Sequence, residues 1–289
     1  MTNGNPREMD QNRPQPSPPI VLSFAASDPS GGAGMQADLM TIASMGCHPL
    51  SVITALTVQD TIGVENILAI DADWVEDQAR ALLEDMHVAA FKIGLLGSVE
   101  NIAVIAEILS DYPDIPLVLD PVLASGRGDE FADEEMISAL RELLLPQTTV
   151  LTPNSLEARR LSDEDGETSE EALPLIECAR RLLGYGCEYV LVTGTHENTT
   201  QVVNSLYGEQ GLLSSDAWDR LPGSYHGSGC TLASAIAANL AHGLSVPEAV
   251  RDAQDYTWQA LAAGFRPGMG QYVPDRFFWA RAAGEDGDA

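Results

Sequence analysis

The chain of 289 residues carries 43 acidic against 15 basic residues, a formal net charge of −28, with 45% hydrophobic and 6% aromatic content. Such a field repels nucleic acid and anionic membrane surfaces, which excludes both as partners. No apolar run reaches the roughly 20 residues that a bilayer span requires, and the length suffices for one large α/β core without a second domain.

Residues 1–19 (MTNGNPREMDQNRPQPSPP) are rich in Pro, Asn and Gln and lack the apolar segment of an export signal. They read as a disordered lead-in. Residues 282–289 form an acidic tail, leaving 20–281 as one domain. Cys47, Cys178, Cys187 and Cys230 show no metal-ligand spacing and read as reduced thiols of a cytoplasmic protein. The charge also repels ATP, so a nucleotide site here must rely on backbone dipoles, Mg²⁺ and a few arginines. Lys92 is the only lysine; it reads as a structural, partly buried charge satisfied by backbone carbonyls.

Ile20 to Ala25 is an apolar run expected to form a buried parallel strand. It enters the turn from Ser27 to Gly34, then a helix with Met35, Leu39 and Ile42 at helical spacing. The glycines are not at dinucleotide-fingerprint spacing, and Pro29 fits that motif poorly. PLSVITALTVQD is a second strand with Thr57, Gln59, Asp60 and Thr61 at its carboxyl end, where open α/β sheets gather ligand groups. A helix over 74–86 leads to a third strand carrying Lys92, and NIAVIAEILSDY is a further helix. In PLVLDPVLASGRGDEF, Pro121 stops a strand and leaves Asp120 at its tip; the glycine-flanked Arg127 follows.

Residues 132–145 read as helix. TTVLTPNSLEARRL gives a strand, a turn and a helix start, with Asn154 and Glu157 on one face. After the charged loop DEDGETSEEA, a helix over 171–183 precedes a strand ending in Thr193-Gly194-Thr195-His196. TQVVNSLYG and GLLSSDAWDRL add strands near one edge. Helices over 230–242 and 247–263 follow, the second with Ser245 as N-cap and Pro247 in its first turn. This alternation implies a doubly wound, mainly parallel sheet with helices on both faces. Its polar and glycine clusters all fall on the carboxyl rim.

Tyr225-His226-Gly227-Ser228-Gly229-Cys230-Thr231 opens directly into a helix. The glycines let a ligand approach the backbone, and the unpaired N–H groups and dipole of the first turn suit phosphate. Cys230 on that turn is a possible base, its thiol pKa expected to be lowered by the dipole. His226 is expected to orient the loop.

The blocks SDPSGGAGMQADL, VITALTVQDTIGV, KIGLLGS, LDPVLASGRGD, LTPNSLEA, VLVTGTH and HGSGCTLASAIAANLAHG, in this order, resemble the hydroxymethylpyrimidine/phosphomethylpyrimidine kinases of thiamine biosynthesis, members of the ribokinase-like superfamily. The resemblance spans about Pro19 to Ala263. It implies ATP-dependent phosphorylation of 4-amino-5-hydroxymethyl-2-methylpyrimidine to its monophosphate and then its diphosphate, with Mg²⁺ as cofactor and a homodimer as assembly. It further implies Cys230 as the base, with the Gly227, Gly229 and Cys230 N–H groups on the transferring phosphoryl. Asp28 and Gln59 would hold the pyrimidine, and Asn154 and Glu157 would organise Mg²⁺ with Asp120 nearby. Thr193, Gly194 and Ser228 would serve the nucleotide. The family commonly carries lysines in DPVMVAKSG and VLVKGGH, whereas this chain reads DPVLASGRGD and VLVTGTH. Arg127 is therefore the candidate replacement for a phosphate-facing lysine, although the two cations are not equivalent. A pyridoxal-type kinase of the same fold and a degenerate pyrimidine-binding protein are the competing expectations.

Overall fold

The computed structural model describes residues 17–124, 130–163 and 173–285, with side chains to Arg281. The lead-in before residue 17, Arg127 and most of the charged 163–172 loop lie outside the described residues, as does the tail beyond 285. Nine strands form one sheet in the order β3-β2-β1-β4-β5-β6-β7-β8-β9. Those from β2 (His48–Gln59) through β1 (Ile20–Ser27), β4 (Ala90–Ile93), β5 (Leu117–Leu119), β6 (Val150–Leu151) and β7 (Tyr189–Val192) are parallel. β8 (Gln201–Gly208) and β9 (Gly211–Asp219) continue the sheet antiparallel, at the edge expected from the sequence.

The central strand β1 is buried along both faces, as its apolar run demands. Leu22 and Phe24 face one hydrophobic core, where α2 (Ala72–Asp85), α3 (Val99–Ser110), α5 (Ser155–Ser162) and α6 (Leu175–Gly184) pack. Val21 faces the other core, with α7 (Ser228–Ala241) and α8 (Val246–Ala262). A further helix, α1 (Gly34–Ser44), packs beside α7 on that second face. Local chemistry sets the helix starts. Asp71 caps α2 and Ser98 caps α3, each accepting from a first-turn N–H; α6 runs from Leu175 with Pro174 at its N-cap, and the start expected at 171 lies outside the described residues. The helix expected over 132–145 is α4 (Glu134–Ala139), continued by a π turn and a 3-10 turn to Gln147.

β3 (Val64–Ala69), absent from the sequence reading, pairs antiparallel with β2 across a turn in which Asp60 Oδ1 accepts from the Ile62 and Gly63 N–H groups. Its alternation is weak, and the partner strand supplies most of the order. The chain runs outward from β1 to β2 and then returns to β4 on the other side. The sheet therefore reverses direction between β1 and β4, the place where doubly wound folds bind ligands. Among the described residues no helix is long and apolar enough to cross a membrane.

Candidate active site

The carboxyl ends of the parallel strands and the first turn of α7 enclose a cleft of about 590 Å³. Asp28, Gln59, Asp120, Asn154, Glu157, Thr193, Gly227, Ser228, Gly229 and Cys230 all line it. Gly194 does not. A Cβ there would stand 2.3 Å from the Val203 carbonyl oxygen, so close packing on β8 requires the glycine.

At one end lies a closed set of hydrogen bonds. Asp28 Oδ1 accepts from Ser30 N (2.8 Å), and Oδ2 accepts from Ala33 N (2.7 Å) and meets His226 Nε2 at 2.8 Å. Burial alone would raise this carboxyl, but bonds from His226, Ala33 and Ser30 carry it below the usual aspartate value. His226 Nε2 is also 2.8 Å from the Gln59 amide. An ionised Asp28 requires a proton on that nitrogen. The donor count closes when Gln59 turns its oxygen to the ring and its NH₂ to Thr57 Oγ1, whose hydroxyl donates to Ser27 O (2.9 Å). His226 thus ties Asp28 to Gln59 as well as leading into the anion loop.

The anion loop itself departs from expectation in one respect. Gly227, the N-cap of α7, has φ +83°, and a Cβ there would sit 1.8 Å from Gly32 O. Its glycine is required by backbone packed on backbone rather than by ligand access. At Gly229 a Cβ would meet only ordinary contacts, 3.7 Å from Asp120 Oδ2, so this glycine leaves room on the ligand side.

Cys230 is half-buried in the first turn. The expected lowering of its pKa is reversed: burial pushes the thiol up to about 12, Lys92 opposes that shift, and the Asp120 and Asp38 charges add to it. A helix dipole is a partial charge, and desolvation plus two carboxylates outweigh it. Lys92 also differs from expectation. Fully buried, its Nζ donates to Asp38 Oδ2 at 2.9 Å, and Ser23 and Ser234 hydroxyls complete the carboxylate's partners at 2.6 and 2.8 Å. An ammonium removed from water needs a counter-charge, which carbonyl dipoles alone do not supply. Asp38 holds the lysine charged against the opposing cost of burial.

Asp120 and Glu157 are the unbalanced pair. Burial raises Asp120 to about 6, with Lys92 opposing and Asp38 adding. Burial and the neighbouring Asp120 raise Glu157 to about 8. Asn154 and Glu157 form a capping box: Asn154 Oδ1 accepts from Leu156 N and Glu157 N, and Glu157 Oε2 accepts from Asn154 N at 2.9 Å. The Asn154 oxygen is therefore committed to α5. Beyond Thr193 the cleft continues along Trp218, Trp258 and Leu261, with the two indoles stacked at 6.4 Å. Arg220 donates to the carbonyls of Thr195, Glu197 and Thr199 and stiffens that wall. These aromatic and arginine contributors carried no motif in the sequence.

Known proteins resemble this chain in sequence and fold. The profile of the phosphomethylpyrimidine kinase family matches residues 28–275. A hydroxymethylpyrimidine/phosphomethylpyrimidine kinase of Streptomyces coelicolor is 39% identical over 265 residues, spanning 89% of this chain and 94% of the relative. The pyridoxal kinase from Staphylococcus aureus in complex with ADP superposes with a TM-score of 0.82 at 29% identity, covering 92% of this chain and 96% of that one. A phosphomethylpyrimidine kinase from Clostridium difficile does so with a TM-score of 0.72 at 33% identity, covering 84% and 99%. The family profile and these identities extend over most of the chain, and this chain belongs to the phosphomethylpyrimidine kinase family.

Proposed function

We propose that this chain uses ATP to phosphorylate 4-amino-5-hydroxymethyl-2-methylpyrimidine and then its monophosphate. The observation that carries this reading is the pairing of an amide–imidazole–carboxylate edge, Gln59–His226–Asp28, with a thiol on a phosphate-binding helix start in the same cleft. An aminopyrimidine presents an exocyclic donor beside a ring acceptor, and a Gln side chain answers both. The hydroxymethyl group then reaches toward Cys230; to take its proton the sulfur must first give up its own, and Lys92 opposes the upward shift of the thiol. N–H groups at the start of α7 stabilise the transferring phosphoryl, and the rest of catalysis is positioning.

Asp120 and Glu157 fit a divalent cation. Two buried carboxylates whose pKa values are raised by desolvation are relieved by a positive charge, and Mg²⁺ takes one or two carboxylates together with substrate phosphates. Bound there, Mg²⁺ supplies charge neutralisation to the phosphate oxygens. This assigns the cation to Asp120 with Glu157, while Asn154 fixes Glu157 through the cap. Thr193 and Ser228 serve the nucleotide side, with the base toward Trp218 and Trp258.

The assembly is a homodimer formed through the β2–β3 hairpin. Strand alternation turns Thr57 and Gln59 toward the cleft and Leu56, Val58 and Leu68 outward, where all three are exposed. An ATP-consuming reaction and four free cysteines suit the cytoplasm.

The test is ADP release by the purified protein with the pyrimidine alcohol, its monophosphate, pyridoxal or no acceptor. Turnover greatest with the two pyrimidines is expected. Faster turnover on pyridoxal would transfer the site to the pyridoxal branch, to which the structural neighbour from Staphylococcus aureus belongs.

A further inference from the structure

Arg276 lies one residue past the end of the family match and is one of the largest fully buried side chains, 2% exposed. Its Nη2 donates to Gly32 O at 2.6 Å, Nη1 to Gly31 O at 3.4 Å, and Nε to Thr231 Oγ1 at 3.1 Å. The Thr231 hydroxyl in turn donates to Gly227 O at 2.8 Å. The guanidinium therefore joins the two loops at their point of closest approach, where Gly227 packs against the Gly32 carbonyl. One loop carries Asp28; the other begins α7 and carries Cys230.

The segment that delivers Arg276 is itself anchored on both sides of the cleft. Gln271 N donates to Thr61 O (2.8 Å) in the β2–β3 turn, and Tyr272 N donates to Ser224 O (2.9 Å). His226 N donates to Tyr272 O (2.8 Å), while Tyr256 Oη donates to the Arg276 carbonyl (2.8 Å). A planar guanidinium with donors in a fixed fork sets the spacing of several carbonyls at once, which an ammonium cannot do.

We propose that Arg276 is a positioning residue for phosphoryl transfer, a clamp that sets the register between the substrate loop at Gly31–Gly32 and the phosphoryl-binding start of α7. This rests on the assignment of α7 as the phosphoryl site. Phosphoryl transfer depends on placement, and a misplacement of about 1 Å costs on the order of 10²-fold in rate. Asp28 and Gln59 stand at the ends of β1 and β2 rather than on α7, so their share of substrate binding survives a small slide of that helix. The clamp therefore acts on kcat more than on KM.

Arg276→Met keeps the bulk and removes every donor. Assayed at least 10 °C below its own unfolding midpoint, it is expected to lose about 50-fold in kcat, with less than about threefold change in either KM. Arg276→Lys should recover part of this loss. Because Arg276→Met risks misfolding, Thr231→Val and Thr231→Ser are measured beside it. Valine removes the hydroxyl at nearly constant volume and should lower kcat about tenfold, while serine should restore it. Normal kcat in Thr231→Val, or in a folded Arg276→Met, overturns the clamp. So does a loss of kcat in Arg276→Met matched by an equal rise in both KM values. Cys230→Ala separates the two readings: if it is inactive while the clamp variants turn over normally, the site stands and the clamp fails. If Cys230→Ala is fully active, the thiol only lines the cleft, and the reading of the α7 start as the chemical site loses its support.

Discussion

The two ends of the cleft are built to opposite rules. At the Asp28–His226–Gln59 end the three side chains are bonded to one another and to the backbone, and the carboxyl is held below its ordinary pKa. At the Asp120–Glu157 end, burial and a neighbouring carboxylate (Asp38 for Asp120, Asp120 for Glu157) hold two carboxyls above theirs, and the Cys230 thiol is raised as well. The first end is complete without a ligand and can discriminate by shape and hydrogen-bond pattern. At the second end burial disfavours the ionised carboxylates; Lys92 offsets part of that at Asp120, and a bound cation would offset more. Recognition is thus preorganised, whereas the chemical end is completed by what binds there.

Breaking the chemical end has the largest expected effect. Cys230→Ala should lower kcat by about 10²–10⁴-fold, the span of a general base, with little change in the melting temperature. Turnover near the wild-type rate would mean that the thiol only lines the cleft.

Glu157→Gln sharpens the contrast further, because it separates stability from function at one residue. Glutamine keeps an oxygen for the cap on α5, gives up the one that accepts from Leu123 N, and removes a group whose ionised form burial and Asp120 disfavour. The unliganded protein should unfold at the same or a higher temperature, while activity at limiting Mg²⁺ falls by about 10–100-fold, as for other weakened metal sites. A lower melting temperature with intact activity would place Glu157 in the scaffold alone. Gln59→Ala probes the recognition end. The KM for the pyrimidine should rise by about tenfold, the loss of roughly one hydrogen bond, and the KM for ATP should hold. A shift in the ATP constant would reverse the assignment of the two ends. Leu68→Glu carries the smallest kinetic effect. It should give monomers by light scattering with kcat within about twofold of the wild type, since the hairpin turns its other face to the site; persistence of dimers would remove β2–β3 from the interface.

The features legible in the sequence were those written in consecutive residues. The apolar runs of β1 and β7, the polar clusters at their ends, the Ser245 helix start and the glycines of the anion loop are local, and their chemistry is local. Lys92 was visible as a singular residue, but its partner Asp38 is 54 positions away on another element. The direction of the Cys230 shift failed for the same reason: the dipole is a property of its own helix, whereas the burial and the carboxylates come from β4, β5 and α1. Arg276 stands in the unremarkable string VPDRFF, and nothing around it announces that its partners are glycine carbonyls near the other end of the chain. β3 was missed because its alternation is faint without β2 beside it.

The packing of Gly227 on Gly32 has a consequence for how the enzyme comes into being. Asp28 and His226 are 198 residues apart, and Gly32 and Arg276 are 244 apart. Contacts of such separation close late, because the entropy of the intervening loop opposes them until the sheet between them has formed. During synthesis β1 and its glycine turn emerge first, yet they have nothing to close against until α7 and the segment through Arg276 have left the ribosome. A chain released or cleaved ahead of residue 276 would keep most of its sheet but lack the clamp between its first and last thirds. Competence for phosphoryl transfer is therefore the last property this molecule acquires, and its appearance during refolding should lag the recovery of helical signal.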